Sequence, residues 1–270
     1  MNFNEKLTEA IKKNASLLCI GLDPDPELMP SRIDVLKFNK AIIDATFDLV
    51  CAYKLNLAFY EALDDGIDYL KRTVKYIPDD IPVIGDAKRG DIDNTAKAYA
   101  KALFVTYGFD AATVNPYLGF DSMEPFIEQW DKGIFILCRT SNPGAADFQN
   151  LHLILNRKRI PLFEIVALRA AQWNKQGNNI GLVMGATYPE ELKMIRQDHP
   201  DMLFLIPGIG AQGGSLASAV RYGVNSWKQA IFCSSRQIIY ASGEKDFAEA
   251  ARRVALPLRD DINHLISTQA

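Results

Sequence analysis

The groups best suited to chemistry stand in one stretch, Gly85-Asp86-Ala87-Lys88-Arg89-Gly90-Asp91-Ile92-Asp93. It follows Ile81-Pro82-Val83-Ile84, an apolar run that reads as a short buried strand, and it precedes Ile92 to Tyr107, which reads as a helix. Asp86 and Lys88 are two apart, so on an extended strand they point to the same side. Asp91 lies where the chain turns into the helix. A lysine between carboxylates keeps its proton, because nearby negative charge favours the ammonium form. A fixed cation flanked by anions could stabilise a developing carbanion and then protonate it. The same residues also admit a structural reading. Asp91 alone is a helix N-cap, and Asp86 with Lys88 could be an ion pair at a strand end.

The elements around this stretch decide where it sits. Phe3 to Lys13 has helical spacing, and Leu17 to Asp23 is an apolar strand ending in an aspartate. Asp34 to Val50 reads as a helix, Ala52 to Leu57 as a strand with Lys54 and Asn56 on one face, and Glu61 to Ile77 as a helix. After the central strand and helix come a strand at Ala111–Asn115, a helix at Met123–Trp130 and a strand at Gly133–Cys138. The long connection Ala145–Ile160 has no clear pattern. A helix at Pro161–Trp173 leads to a strand at Ile180–Gly185, and Thr187-Tyr188-Pro189-Glu190 has the form of a capping box with proline in the first turn. Strands at Met202–Ile206 and Ala230–Cys233, with helices after each, complete the chain. Eight short apolar strands alternating with helices predict an α/β fold, a single-domain (β/α)8 TIM barrel over residues 1–270. A doubly wound open sheet is the alternative.

On such a barrel the active site lies at the C-terminal ends of the strands. Asp23, Lys54, Asp86, Lys88, Ser141, Gln212 and Arg236 all fall there. Phosphate sites on barrels are often built from the loops after the seventh and eighth strands. The first of these, Pro207-Gly208-Ile209-Gly210-Ala211-Gln212-Gly213-Gly214, lets backbone N–H groups approach an anion closely. The second supplies Arg236 near a helix start.

Composition narrows the classes. A net charge of −3 and a pI of about 5.7 argue against nucleic-acid or membrane-surface binding. Cys19, Cys51, Cys138 and Cys233 are widely spaced and mostly in apolar runs, which predicts buried free thiols. His152, His199 and His264 form no ligand-spaced pair, so a histidine metal site is poorly supported. No signal peptide or membrane span is visible, and a reduced, cytoplasmic setting is expected.

Asp86-Ala87-Lys88-Arg89-Gly90-Asp91-Ile92 fits the D-x-K-x-x-D-I signature of the orotidine 5′-monophosphate decarboxylase family, and the chain resembles the longer bacterial form of that family over nearly its whole length. Ser141-Asn142-Pro143-Gly144, Gly185 to Leu192, Pro207–Gly214 and Ser234-Ser235-Arg236 match in the right order. Asn225 to Gln229 and Cys233 depart from the pattern. The resemblance implies cofactor-independent conversion of orotidine 5′-monophosphate (OMP) to UMP and carbon dioxide, the last step of pyrimidine nucleotide synthesis. It implies that Lys88 donates a proton to C6 of the pyrimidine, within a charged network of Asp86, Asp91 and Lys54. Asp23 and Lys54 would hold the ribose hydroxyls, Ser141 the pyrimidine ring, Gln212 base and phosphate together, and Arg236 the phosphate. Ile92, Thr95, Pro207, Gly214 and Ser235 complete the implied substrate-binding set. A homodimer is implied, with Asp91 and Thr95 reaching into the partner's site. Closure of Pro207–Gly214 over the ligand is expected, driven by phosphate binding remote from C6. Two other readings compete: a metal-dependent sugar-phosphate decarboxylase of the same superfamily, and a non-catalytic barrel that binds a phosphoribosyl ligand.

Overall fold

Short apolar strands bury one side chain inward and the next outward, and this alternation builds the molecule. The computed structural model describes residues 1–155, 157–209 and 213–268. Its strands are β1 (Leu18–Gly21), β2 (Ala52–Asn56), β3 (Val83–Arg89), β4 (Ala111–Val114), β5 (Gly133–Arg139), β6 (His152–Leu155), β7 (Lys158–Pro161), β8 (Ile180–Met184), β9 (Leu203–Pro207) and β10 (Ala230–Ser234). Eight of them close into a parallel barrel in the order β1-β10-β9-β8-β5-β4-β3-β2, with β2 back against β1. The predicted (β/α)8 barrel is therefore what forms, with helices between successive strands.

Two apolar layers follow from the pleat. Leu18, Ile20, Ile134, Ile136, Phe204 and Ile206 face outward into the layer shared with the helices. Cys19, Ala52, Ile84, Ala111, Phe135 and Ile231 face inward and fill the lower lumen. The helix Phe3–Asn14 closes the floor of that lumen. It is started by a reciprocal cap between Asn2 and Glu5. It buries Phe3 and Leu7 against the inner layer, with the Phe3 ring edge-on to Phe135 at 5.8 Å. All four cysteines are buried and free, as their spacing predicts.

The elements differ from the sequence reading at several points, each for a local reason. The strand expected over Ile81–Ile84 runs on as β3 to Arg89, so the Asp-x-Lys pair lies inside a strand. The helix expected over Glu61–Ile77 is two, Leu57–Glu61 and Gly66–Tyr76. Asn56 starts the first of these early by accepting the Ala58 N–H. The chain then folds back so tightly that a Cβ on Gly66 would lie 1.6 Å from the Tyr60 carbonyl oxygen. The helix expected from Ile92 to Tyr107 is regular over Asp93–Lys101 and ends in a wider π turn, Ala102–Thr106. Asp91 does not cap it: Ile92 occupies the cap position without a side-chain bond. The capping box at Thr187 does not form either. Thr187 Oγ1 donates instead to the Ser141 carbonyl, and Pro189–Asp198 starts after Tyr188. The described residues of the 145–160 connection include part of a 3-10 turn, Pro143–Asp147, and the antiparallel pair β6–β7. Phe163 N–H bonds back to the Gln149 carbonyl and Leu162 N–H to that of Leu151, which ties the hairpin to the next helix.

Because Phe3 seals the lumen floor, Phe3→Ala is expected to lower the unfolding free energy by about 3 kcal/mol. A urea titration measures it, and an unchanged midpoint would mean that the floor helix contributes little.

Candidate active site

The inner face changes character two residues above the apolar layer. Moving up from Cys19, Ala52, Ile84, Ala111, Phe135 and Ile231 reaches Gly21, Lys54, Asp86, Thr113, Leu137 and Cys233, and all six line one cavity of about 520 Å³ at the C-terminal mouth. The strand period thus places polar groups directly on a dry floor.

Lys54 is the buried centre of this layer, with 7% of its surface exposed. Its ammonium lies 2.9 Å from Asp86 Oδ2 and 4.0 Å from Asp23 Oδ1. Burial disfavours the charge, yet Asp23 and Asp86 together outweigh it and hold the lysine pKa above its ordinary value. Burial likewise opposes ionisation of Asp86, but Lys54 and Lys88 overcome it and keep the carboxyl well below the usual carboxylate range. Lys88 Nζ donates to Asp86 Oδ1 at 2.6 Å, while about half of its side chain faces the open cavity.

Asp86 and Lys88 meet as the sequence predicts, but not through plain strand alternation. The register between β3 and β4 shifts between Gly85 and Arg89, and Lys88 takes a left-handed conformation with φ of 50°. Thr113 stands opposite the shift. Its hydroxyl donates to Asp86 Oδ1 at 2.8 Å and accepts the Lys88 N–H at 3.0 Å. Asp23, at the end of the first strand's run, accepts the Asn56 N–H and so ties the first strand to the second.

The opposite wall comes from the loop after β5. Ser141 and Asn142 line the cavity. Gln149 fixes the base of that loop: its Oε1 accepts the Thr140 N–H, and its Nε2 donates to Thr140 Oγ1. Gln149 Oε1 also receives Arg139, a fully buried guanidinium lying 3.5 Å over the Tyr188 ring. The hairpin connection is therefore a brace for the wall.

At the third side, Pro207, Gly208, Ser235 and Arg236 line the cavity. Ser235 packs so close to β1 that a Cβ on Gly21 would lie 2.7 Å from it, and its hydroxyl donates to the Gly21 carbonyl. Gly208, at φ of 96°, turns the chain where a side chain would be strained. Gly214 donates to the Gly208 carbonyl and does not itself line the cavity. Gln212 lies outside the described residues.

Of the residues singled out from the sequence, Asp23, Lys54, Asp86, Lys88, Ser141, Pro207, Ser235 and Arg236 are brought together. Asp91, Ile92 and Thr95 do not line this chain's own cavity; Ile92 is 50% exposed beside them. Thr113, Asn142 and Gln149 are cavity residues that the sequence did not mark. The signal for Thr113 was its place two residues above Ala111, in the layer of Lys54 and Asp86.

A closed parallel barrel with its charged side chains gathered at the C-terminal mouth is the architecture of a (β/α)8-barrel enzyme. The model of the orotidine 5′-phosphate decarboxylase / HUMPS family matches residues 16–254. Orotidine 5′-phosphate decarboxylase of Dehalococcoides mccartyi is 56% identical over 267 residues, covering 98% of both chains. That of Thermomicrobium roseum is 50% identical over 272 residues, covering 98% of this chain and 96% of the relative. The solved structure of the OMP decarboxylase of Leishmania donovani superposes with a TM-score of 0.82 at 36% identity, covering 98% of this chain and all of that one. The chain belongs to the orotidine 5′-phosphate decarboxylase / HUMPS family and is an enzyme of the decarboxylase type for which these relatives are named.

The buried charges make stability depend on pH. A carboxyl whose pKa is lowered by folding stabilises the protein above its unfolded value, near 3.9, and the benefit is lost as pH falls toward the folded value. The raised Lys54 acts below about 10.4 and fades only in strong alkali. Asp86→Asn is therefore expected to be less stable than wild type at neutral pH, with the gap narrowing below about pH 4. Urea unfolding across that range measures it; parallel curves would contradict the assigned ionisation.

Proposed function

We propose that the chain decarboxylates OMP to UMP without a cofactor, with Lys88 as the proton donor. The observation that carries this reading is the Lys88 ammonium, half open to the cavity and held at 2.6 Å by an Asp86 that Lys54 fixes from below. The C6–carboxylate bond breaks and carbon dioxide leaves. The electron pair stays on C6, in the ring plane, where it is not delocalised. The ammonium stabilises that pair and then transfers its proton to C6, leaving neutral lysine and UMP. Charges fixed before substrate arrives need no reorganisation as the carbanion forms. In this reading Asp23 and Lys54, which line the cavity, would meet the ribose hydroxyls, Ser141 the base, and Arg236 with Ser235 the phosphate. Pro207 belongs to the same phosphate side, with Gln212 and Gly214 assigned to its loop on the resemblance.

Asp23 and Asp86 both face the Lys54 ammonium, at 4.0 and 2.9 Å. Both carboxylates thus face a lysine cation, where a metal site would want a further carboxylate, and this favours the metal-free reading. Free buried thiols fit a reducing, cytoplasmic setting. No helix among the described residues is long and apolar enough to cross a membrane.

We further propose a homodimer with shared sites. Asp91, Ile92 and Thr95 do not line their own cavity, and Ile92, Tyr117 and Leu118, in the segments after β3 and β4, are exposed apolar side chains. Such exposed apolar side chains fit contact with a second copy, into whose site Asp91 and Thr95 would reach.

Wild-type protein in EDTA should convert OMP, seen as loss of absorbance, and Lys88→Ala should be slower by at least about a thousandfold. Conversion only after metal is added back would favour the sugar-phosphate class, and full activity of the variant would remove Lys88 from the chemistry. For shared sites, Lys88→Ala and Asp91→Ala proteins should each be inactive. Unfolded and refolded together in equal amounts, they should recover about a quarter of wild-type activity, because one site in each hybrid dimer is intact. No recovery would place Asp91 in its own chain's site, and an active Asp91→Ala protein would put it outside catalysis.

A further inference from the structure

Three residues of β3 stand opposite one residue of β4. Gly85 pairs with Ala112 and Arg89 with Val114, so Asp86, Ala87 and Lys88 share Thr113 as their only counterpart. A ladder with that mismatch loses its regular bonds at the residues that carry the charges. The Thr113 side chain takes their place. Its oxygen accepts the Lys88 N–H at 3.0 Å, which points its own proton to Asp86 Oδ1 at 2.8 Å. The residue lines the cavity yet is only 1% exposed, so little solvent reaches its hydroxyl.

Two features make this hydroxyl more than packing. Lys88 holds φ of 50°, a conformation that a long side chain seldom adopts and that its contacts must maintain. The N–H bond to Thr113 is one of those contacts. Asp86 Oδ1 also receives the Lys88 ammonium at 2.6 Å, so the same hydroxyl holds both ends of the lysine: its backbone directly, its ammonium through the carboxylate. A hydroxyl, which donates and accepts at one oxygen, can do both at a strand position facing the lumen.

We propose that Thr113 is a positioning residue for decarboxylation, aiming the Lys88 ammonium at the reacting carbon by bridging the Lys88 backbone and the Asp86 carboxylate. The inference rests on the decarboxylase reading above. Misplacement of a reacting group by about 1 Å can cost about a hundredfold in rate. Thr113 has both its bonds committed inside the protein, so its loss should leave ribose and phosphate binding nearly intact.

The test compares OMP turnover and UMP binding for wild type, Thr113→Val, Thr113→Ser and Thr113→Ala. Valine keeps the shape and removes the hydroxyl; serine keeps the hydroxyl and removes a methyl. Thr113→Val should lose about a hundredfold in kcat, with KM and the UMP dissociation constant within about threefold of wild type. Thr113→Ser should recover most of that loss. If the valine variant does not fold, serine against alanine makes the same comparison. Equal kcat for valine and wild type overturns the inference, as does a serine variant no better than alanine, which would assign the effect to packing. A wild type that folds but does not turn over OMP overturns the decarboxylase reading and this inference with it.

Discussion

The buried contact between Lys54 and Asp86 is what the rest of the site depends on. Removing two charges from water is costly, and the attraction between them offsets that cost only when both are fully hydrogen-bonded. Here the carboxylate receives Lys54 on one oxygen and Lys88 with Thr113 on the other. The pair lies on an apolar floor closed by Phe3 and Leu7, so water does not screen it from below. Loss of Asp86 would leave Lys54 with Asp23 alone, at 4.0 Å, and loss of Lys54 would leave Asp86 held only through its other oxygen.

From that fixed point the cavity is built outward by three supports. The first strand is tied to the second where Asn56 N–H meets Asp23. The wall that carries Ser141 is held by Gln149, Arg139 and Tyr188, and the hairpin β6–β7 lies in the segment that returns from this wall to the next helix. The side with Arg236 is locked to β1 by the close packing of Ser235 on Gly21. The charged cluster, the Ser141 wall and the Arg236 side therefore come from different strands, and the barrel's closure fixes their spacing. A substrate with an anionic phosphate at one end and a reacting carbon at the other would be aligned by this separation.

Much of this was legible in the sequence, because strand length, apolar runs and the Asp-x-Lys spacing are local signals. The barrel, the buried thiols and the mouth position of Lys54, Asp86, Lys88 and Arg236 follow from them. Features that depend on register were not legible. Thr113 in Ala111-Ala112-Thr113-Val114 looks like an ordinary β-branched strand residue until the shift against β3 gives its hydroxyl two partners. Thr187 has the sequence of a helix cap, yet the Ser141 carbonyl, distant in the chain, competes for it. Asp91 reads as a cap for the same reason, while its place outside the cavity becomes visible only once the barrel is closed.

The most direct test is a crystal structure of the protein with bound UMP. The account predicts C6 of the base within hydrogen-bonding reach of Lys88 Nζ, the phosphate against Arg236, and the Lys54–Asp86–Lys88 contacts within about 0.5 Å of their positions in the free protein. A nucleotide bound with C6 away from Lys88, or a network that assembles only when ligand is present, would contradict it.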